Sequence, residues 1–385
     1  MKLSIISDMH LGYASGTERE EDSFEAAKEA IEMSADCDAI LVAGDIFDSR
    51  TPTTDTLIRA MQLFMKTNFW EGGARISEGI GKDLSEFSPL NTSGVPIIAI
   101  HGTHERRAKG LMNPVEGLEK AGFVAYLHGN GIILQKGKER VAVQGFSGVP
   151  DQYAEAALQS WDPKPVQKAF NIFMLHQSVS PFMYADRTIE LEALPKGFDL
   201  YVAGHMHEPQ TSSHSDAPLL IPGSTIQTQL NKDSTRTRGF WTLDTQTKEL
   251  EFRPLGGQRK VYYRAFENPT QREIESEVEK ILEESHEKKP IIRIHLSGKE
   301  LPLSDLQERF QGHAILSFKK DFEDSEIQAQ PQTLEEHRLS VQELGRKLLR
   351  ENLQSAGLDP ERFESIFELL LERKNEQAQE MLYKG

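Results

Sequence analysis

The chain has 385 residues, 38% of them hydrophobic, a formal net charge of −16 and one cysteine, Cys37. That length calls for two or three domains, and the apolar content supports a sizeable core and excludes wholesale disorder. One cysteine rules out an intrachain disulfide and points to a reducing, cytoplasmic compartment, while the acidic balance excludes binding of nucleic acid over the whole surface, though not through a local basic groove, metal ions or a partner. From the N-terminus, MKLSII is an apolar run that Asp8 and His10 break too early for a signal-peptide core. No stretch is apolar for long enough to span a bilayer. A soluble protein without an export signal is therefore expected.

Through about residue 255 one pattern recurs, in which a short run rich in Ile and Val ends abruptly in a polar cluster. The runs are Leu3–Ile6, Ala39–Ala43, Val95–Ile100, Ile172–Leu175 and Leu200–Ala203, and the clusters that follow are SDMH, GDIFD, HGTHERR, HQS and GHMH. Their length and β-branched content read as buried strands. Amphipathic helices lie between some of them, one with Phe24, Ala27 and Ile31 on a face, another with Leu57, Met61 and Phe64. Strands alternating with helices argue for an α/β domain. The pairs Ile132–Leu134 with Val141–Val143 and Phe240–Leu243 with Leu250–Phe252 read as hairpins, so the sheets are expected to be mixed. The polar, Gly- and Ser-rich segment from Glu71 to Gly94 reads as an exposed, partly disordered insertion.

From about Val261 the pattern becomes β-α-β-α-β: VYYRAF, a helix marked by Ile274, Val278 and Ile281, IIRIHL, a short helix with Leu306, and AILSF. The acidic stretch DFEDSEIQAQPQTLEE reads as a linker. Two helices close the chain, one with Val341, Leu344 and Leu348, the other with Phe363, Ile366, Phe367 and Leu370, parted by Gly357 and Pro360. The domains expected are thus 1–255, a small α+β domain at 256–320, a linker at 321–338 and a helix pair at 339–385. Two lone helices bury such stripes poorly, which favours a partner as their cover.

Five of the 12 histidines, His10, His104, His176, His205 and His207, stand directly after apolar strands, and so do Asp8 and Asp45. Ligands of open α/β sheets bind beyond the carboxyl ends of the strands. Asp8 and His10 are two residues apart, as are His205 and His207, so on extended backbone each pair would face one way. Any one of these histidines alone is more often a solvated loop residue than a ligand; the whole set in this order is not an accident of composition. Carboxylates and imidazoles without thiolate suit manganese or iron, with zinc possible. There are too many for one catalytic ion, and they suit two ions about 3.5–4 Å apart that share a carboxylate, for which Asp45 is placed. Arg106, Arg107 and Lys109 follow His104 and could either grip flanking phosphates or sit solvated on a loop.

The set SDMH, GDIFD, GTHE, LHQ and GHMH resembles the calcineurin-like metallophosphoesterase superfamily. Within it, DMHLGY, GDIFDSR, MLHQSVSPF, YVAGHMHEPQ and IPGST are similar to the Mre-eleven/SbcD nucleases of DNA double-strand-break repair, over most of the first 255 residues. The resemblance implies a fold of two mixed β-sheets flanked by helices, a capping domain that helps position DNA, and a C-terminal helix-loop-helix that grips a Rad-fifty/SbcC-type coiled-coil ATPase. It implies 3′-to-5′ exonuclease and single-strand endonuclease activity with two divalent ions, most simply Mn(2+), and a homodimer formed through the helix of Leu57 and Met61. It also implies that Asp8, His10 and His207 hold one ion, that His176 and His205 hold the other with Asp45 as bridge, and that His104 is catalytic without binding metal. Two departures stand out: the family's asparagine ligand is Thr103 here, with His101 nearby as a possible helper, and the family's histidine after G-D-x-F is Asp48. These departures keep open a catalytically weak scaffold that tethers DNA ends, and a small-molecule phosphatase or phosphodiesterase on the same fold is a second alternative.

Overall fold

The computed structural model describes residues 1–322 apart from 93, 109, 184–187 and 299–300. The helix pair expected at 339–385, and all but the first two residues of the expected linker at 321–338, lie outside the described residues.

Residues 1–255 build two mixed sheets packed face to face. The first runs in the order Glu249–Pro254, Gly239–Asp244, Lys2–Ile6, Ala39–Ala43, Ile97–Ile100, Ala125–Tyr126. Its last four strands are parallel, and Gly239–Asp244 joins Lys2–Ile6 antiparallel. The second runs Gln210–His214, Ala217–Ile221, Leu200–Gly204, Phe170–His176, Glu139–Phe146, Asn130–Lys136, Arg75–Ile80. Alternation along the strands divides the apolar side chains between layers. Leu3, Ile5, Leu41 and Ile98 meet Val141, Val143, Ile172 and Met174 between the sheets. Ile6, Ile40, Val42 and Ile97 face outward, under the helices Asp22–Glu32, Thr54–Met65 and Pro114–Lys120. The helix Asp151–Trp161 covers the outer face of the second sheet through Ala154 and Leu158.

In the helix Thr54–Met65, Phe64 is buried and Leu57 and Met61 pack partly against the sheet, while Ile58 and Met65 are exposed. The segment expected as an exposed, partly disordered insertion is different in the structure. Arg75–Ile80 is a strand that pairs antiparallel with Asn130–Lys136 through a bulge between Ile76 and Glu78, and Ala74, Ile76 and Phe87 are buried. The local residues RISEGI carry no apolar run to announce a strand; the neighbouring strand supplies the hydrogen-bond partners that create one, a tertiary effect overriding a weak local preference.

Beyond residue 255, Val261–Glu267, Ile291–Gly298 and Ile315–Phe322 form a parallel sheet. The helices Gln271–Leu282 and Ser304–Phe310 cover one face of it with Ile274, Val278, Ile281, Leu306 and Phe310. Thr270 and Glu273 close the first helix with a capping box. This unit is tied to the larger one by Arg259, which pairs with Asp22 at 2.8 Å, and by Lys289, which pairs with Glu18 at 2.8 Å.

Candidate metal centre

The carboxyl ends of five strands converge on one place. Lys2–Ile6 delivers Asp8 and His10, Ala39–Ala43 delivers Asp45, and Ile97–Ile100 delivers Thr103 and His104. Phe170–His176 ends on His176, and Leu200–Gly204 leads into His205 and His207. Backbone bonds from Asp8 N to Gly44 O and from His10 N to Asp45 O, both 3.0 Å, continue the parallel pairing past the strand ends and lock the first two loops together. The two-residue spacing works by a different geometry from the extended one expected. Asp8, His10, Asp45 and His205 all have positive φ, between 47° and 82°. Such left-handed residues turn the chain sharply at the strand end, and Asp and His tolerate them better than most residues.

Three overlapping groups have ligand atoms that could share a cation: Asp8, His10 and His207; His10, Asp45 and His104; Asp45, His176 and His205. Nε2 of His10 and Nε2 of His207 are 3.2 Å apart. His176 Nε2 is 3.2 Å from Asp45 Oδ2, too poorly aligned for a hydrogen bond.

The histidines are oriented from behind. Nδ1 of His176 lies 2.7 Å from Ala43 O, Nδ1 of His10 lies 3.2 Å from Asp48 Oδ1, and Nδ1 of His207 lies 2.8 Å from Thr228 Oγ1. Partners on Nδ1 place the proton there and leave the Nε2 lone pair facing inward, the form a metal ligand needs. Thr228 is itself held by Tyr13, whose hydroxyl donates to its carbonyl at 2.9 Å, and buried Arg238 donates to the His207 carbonyl.

Asp8 Oδ1 and His176 Nε2 are buried with no hydrogen-bond partner, although Asp8 Oδ2 accepts from Ser7 and from His205 N. A buried carboxylate oxygen and a buried imidazole nitrogen, each left without a hydrogen-bond partner in one cluster of acids and histidines, are costly unless a cation completes them. The residues present therefore fit a centre for divalent metal, with Asp45 between the two outer groups. Burial alone would raise the Asp45 carboxyl, yet the imidazoles of His176, His10 and His104 hold it well below the usual carboxylate range. Burial works against charge on His176, and the Asp45 carboxylate beside it raises it to about 9. Burial, then His176, lowers His205 to about 4. The site is thus a knot of mutually polarised groups, and metal would compete with protons for it.

His104 sits half exposed at the rim, with a ring nitrogen within reach of His10 and Asp45. Its backbone N–H donates to Asp45 Oδ1 at 2.9 Å and its Nδ1 to the carbonyl of Asp48 at 2.8 Å, which leaves Nε2 as its open nitrogen. Thr103 Oγ1 is 3.4 Å from Asp45 Oδ2. His101 points away: Nδ1 meets the Tyr126 hydroxyl at 2.6 Å and Nε2 the Gly148 carbonyl at 2.9 Å, so both ring nitrogens are engaged elsewhere. Burial, then the charge of His128, pushes His101 down to about 3, which keeps it a neutral structural group. Arg106 and Arg107 line a neighbouring cleft, with Arg107 donating to Arg50 O at 3.0 Å. Lys109 lies outside the described residues.

Some supporting residues have no sequence signal. Thr228, Tyr13 and Arg238 reach the site from other parts of the chain. Glu105 does have one, following His104 directly; it is buried and accepts from Phe47 N and Gly102 N, both at 2.8 Å, splinting the Asp45 and His104 loops together. Burial, then the Asp45 charge, raises its carboxyl to about 8. Glycines let the loops close: a Cβ on Gly44 would stand 2.2 Å from His176 Nδ1, and one on Gly102 would stand 2.1 Å from Asp45 Oδ1.

Residues 1–209 match the family model of the calcineurin-like phosphoesterases. The chain belongs to that family. Its fold is the metallophosphoesterase fold, mixed sheets flanked by helices with the metal-ligand loops at the strand ends. It is similar to the double-strand break repair protein mus-23 of Neurospora crassa, 26% identical over 266 residues that make up 60% of this chain and 35% of that protein. It is also similar to the DNA double-strand break repair protein Mre11 of Methanopyrus kandleri, 25% identical over 63% of this chain and 54% of that protein, and to Arabidopsis thaliana MRE11, 26% identical over 66% and 41%. The chain thus spans about a third to a half of the length of these relatives. No helix among the described residues is long and apolar enough to cross a membrane.

Proposed function

We propose that this phosphoesterase is a two-metal DNA nuclease, a 3′-to-5′ exonuclease and single-strand endonuclease, that trims broken double-strand ends. The observation that carries the reading is the pair of ligand groups, Asp8, His10 and His207 on one side and His176 and His205 on the other, with Asp45 within reach of His10 in the first and of both histidines in the second. That several relatives are double-strand break repair proteins supports DNA as the substrate. Two divalent cations, most simply manganese, would polarise the phosphate and lower the pKa of a shared water.

The chain's own residues supply the rest. Asp8 and His10 hold one corner of the centre, His176 and His205 the other, and Asp45 links them. His104, with Nδ1 tied to Asp48, offers Nε2 to the departing oxygen or to the charge that grows on the phosphate. Arg106 and Arg107 draw in the neighbouring phosphate. The small sheet domain at 256–320 guides the DNA, and the C-terminal segment at 339–385 engages a coiled-coil ATPase. A homodimer forms through the helix Thr54–Met65, where Ile58 and Met65 stand exposed. The test is to incubate the full chain with manganese, single- and double-stranded DNA and small phosphodiesters. DNA cleavage that His104→Ala abolishes is expected; turnover of the small esters alone would overturn the reading.

A further inference from the structure

Behind the loop that carries His104 lies a cleft of about 880 Å³, the size of a small-ligand pocket, that none of the metal-ligand residues lines. One wall is the loop with Arg106 and Arg107. The other is the turn Tyr126–Asn130, with Lys82 and Lys120 nearby. Tyr126 and His128 are stacked with ring planes 13° apart and centroids 6.5 Å apart. The Tyr126 ring is pinned through its hydroxyl, which meets His101 Nδ1 at 2.6 Å and receives Asn113 Nδ2 at 3.2 Å, whereas His128 is exposed to the cleft. Lys82 is spent on Glu119 at 2.6 Å, but Arg106 and Lys120 make no hydrogen bond or ion pair with any described residue.

An exposed aromatic face beside unspent cations is the chemistry that receives an unstacked base with its phosphate. We infer that the cleft is a nucleotide subsite. It takes one unpaired base of the strand being cut, stacks it on His128, and holds its phosphate with Arg106 and Lys120. The inference rests on the nuclease reading and deepens it: a base inside a duplex cannot reach the platform, so frayed or single-stranded ends are selected.

The test compares kcat/KM for a single-stranded oligonucleotide with kcat/KM for bis(p-nitrophenyl) phosphate, using the full chain with manganese. His128→Ala is expected to lower the ratio roughly tenfold or more, chiefly through KM for DNA, and His128→Phe, which keeps a stacking face, to restore it. A second measurement needs no variant. Oligonucleotides with 2-aminopurine at successive positions are titrated with the wild-type chain, and quenching is expected at one position and only when that base is unpaired. A ratio unchanged in His128→Ala, or quenching equal at all positions, in a chain that does cut DNA would overturn the subsite alone. A wild-type chain that turns over only the small diester would overturn the nuclease reading and the subsite with it.

Discussion

Asp48 Oδ1 lies 3.2 Å from Nδ1 of His10, and this contact fixes which face of the imidazole a cation can meet. The carbonyl of the same residue receives Nδ1 of His104 at 2.8 Å, so one residue orients both a candidate ligand and the rim histidine. The position where the resemblance implied a histidine is therefore filled by a residue that contacts two of the site's histidines. Asp48→Ala is expected to weaken manganese binding by about 10- to 100-fold, as loss of a partner behind a metal-bound histidine commonly does. Asp48→Asn, which keeps an oxygen acceptor, should retain most of the affinity. Calorimetric titration with manganese checks both; wild-type affinity in the Ala variant would remove Asp48 from this role.

Asp45 is the one carboxylate shared by two of the ligand groups that otherwise have no member in common. Asp45→Asn should leave fewer than two manganese ions per chain by elemental analysis. It should cost several kcal/mol of transition-state stabilisation, about three orders of magnitude in turnover. Two ions per chain in the variant would show that the bridge lies elsewhere.

Gly102 tests the geometry without touching a ligand. An added methyl would stand 2.1 Å from Asp45 Oδ1, inside any tolerable contact, and 2.6 Å from Asp45 N, so neither side chain nor backbone can stay in place. Gly102→Ala is expected to impair manganese binding at least as much as Asp48→Ala, while circular dichroism still shows the mixed sheets. A crystal structure with the Asp45 carboxylate unmoved would contradict this packing argument.

His101 is one of the buried groups that make the fold sensitive to acid. Its folded value is depressed to about 3 by burial and by His128, which burial also lowers, against an ordinary histidine value near 6.5. The fold therefore prefers the neutral ring. The stability this preference contributes is complete above about pH 6.5 and is lost as the pH falls toward about 3, because the unfolded chain takes up the proton first. His101→Gln should flatten the decline of the urea midpoint between neutral pH and about pH 4.5, by a few kcal/mol at most. An unchanged slope would locate the acid sensitivity in other groups.

Much of the centre was legible because buried parallel strands are written as unbroken apolar runs, so that SDMH, GDIFD and GHMH stand out at their ends. How the candidate ligands divide between two ions was implied only by the resemblance. The backbone was misread in detail: Asp8 and His10 sit in left-handed turns, not extended chain, and dipeptide spacing cannot distinguish these. Thr228, Tyr13 and Arg238 were invisible, since a hydroxyl or guanidinium that serves a distant loop leaves no local pattern. The likeness of His101 to a spare ligand dissolved once Tyr126 and Gly148, distant in sequence, were seen to occupy both its nitrogens. The strand Arg75–Ile80 was hidden for the same reason, being made by its neighbour rather than by its own residues.

That strand carries one more consequence. It is the outermost member of the seven-stranded sheet, short, bulged, and marked by Arg75 and Glu78. Were it removed, the long apolar strand Asn130–Lys136 would become a bare border, offering its unpaired amides to any other chain that came alongside. The strand Arg75–Ile80 thus covers that border with a charged, bulged edge of its own, a shape that is harder to extend by another strand.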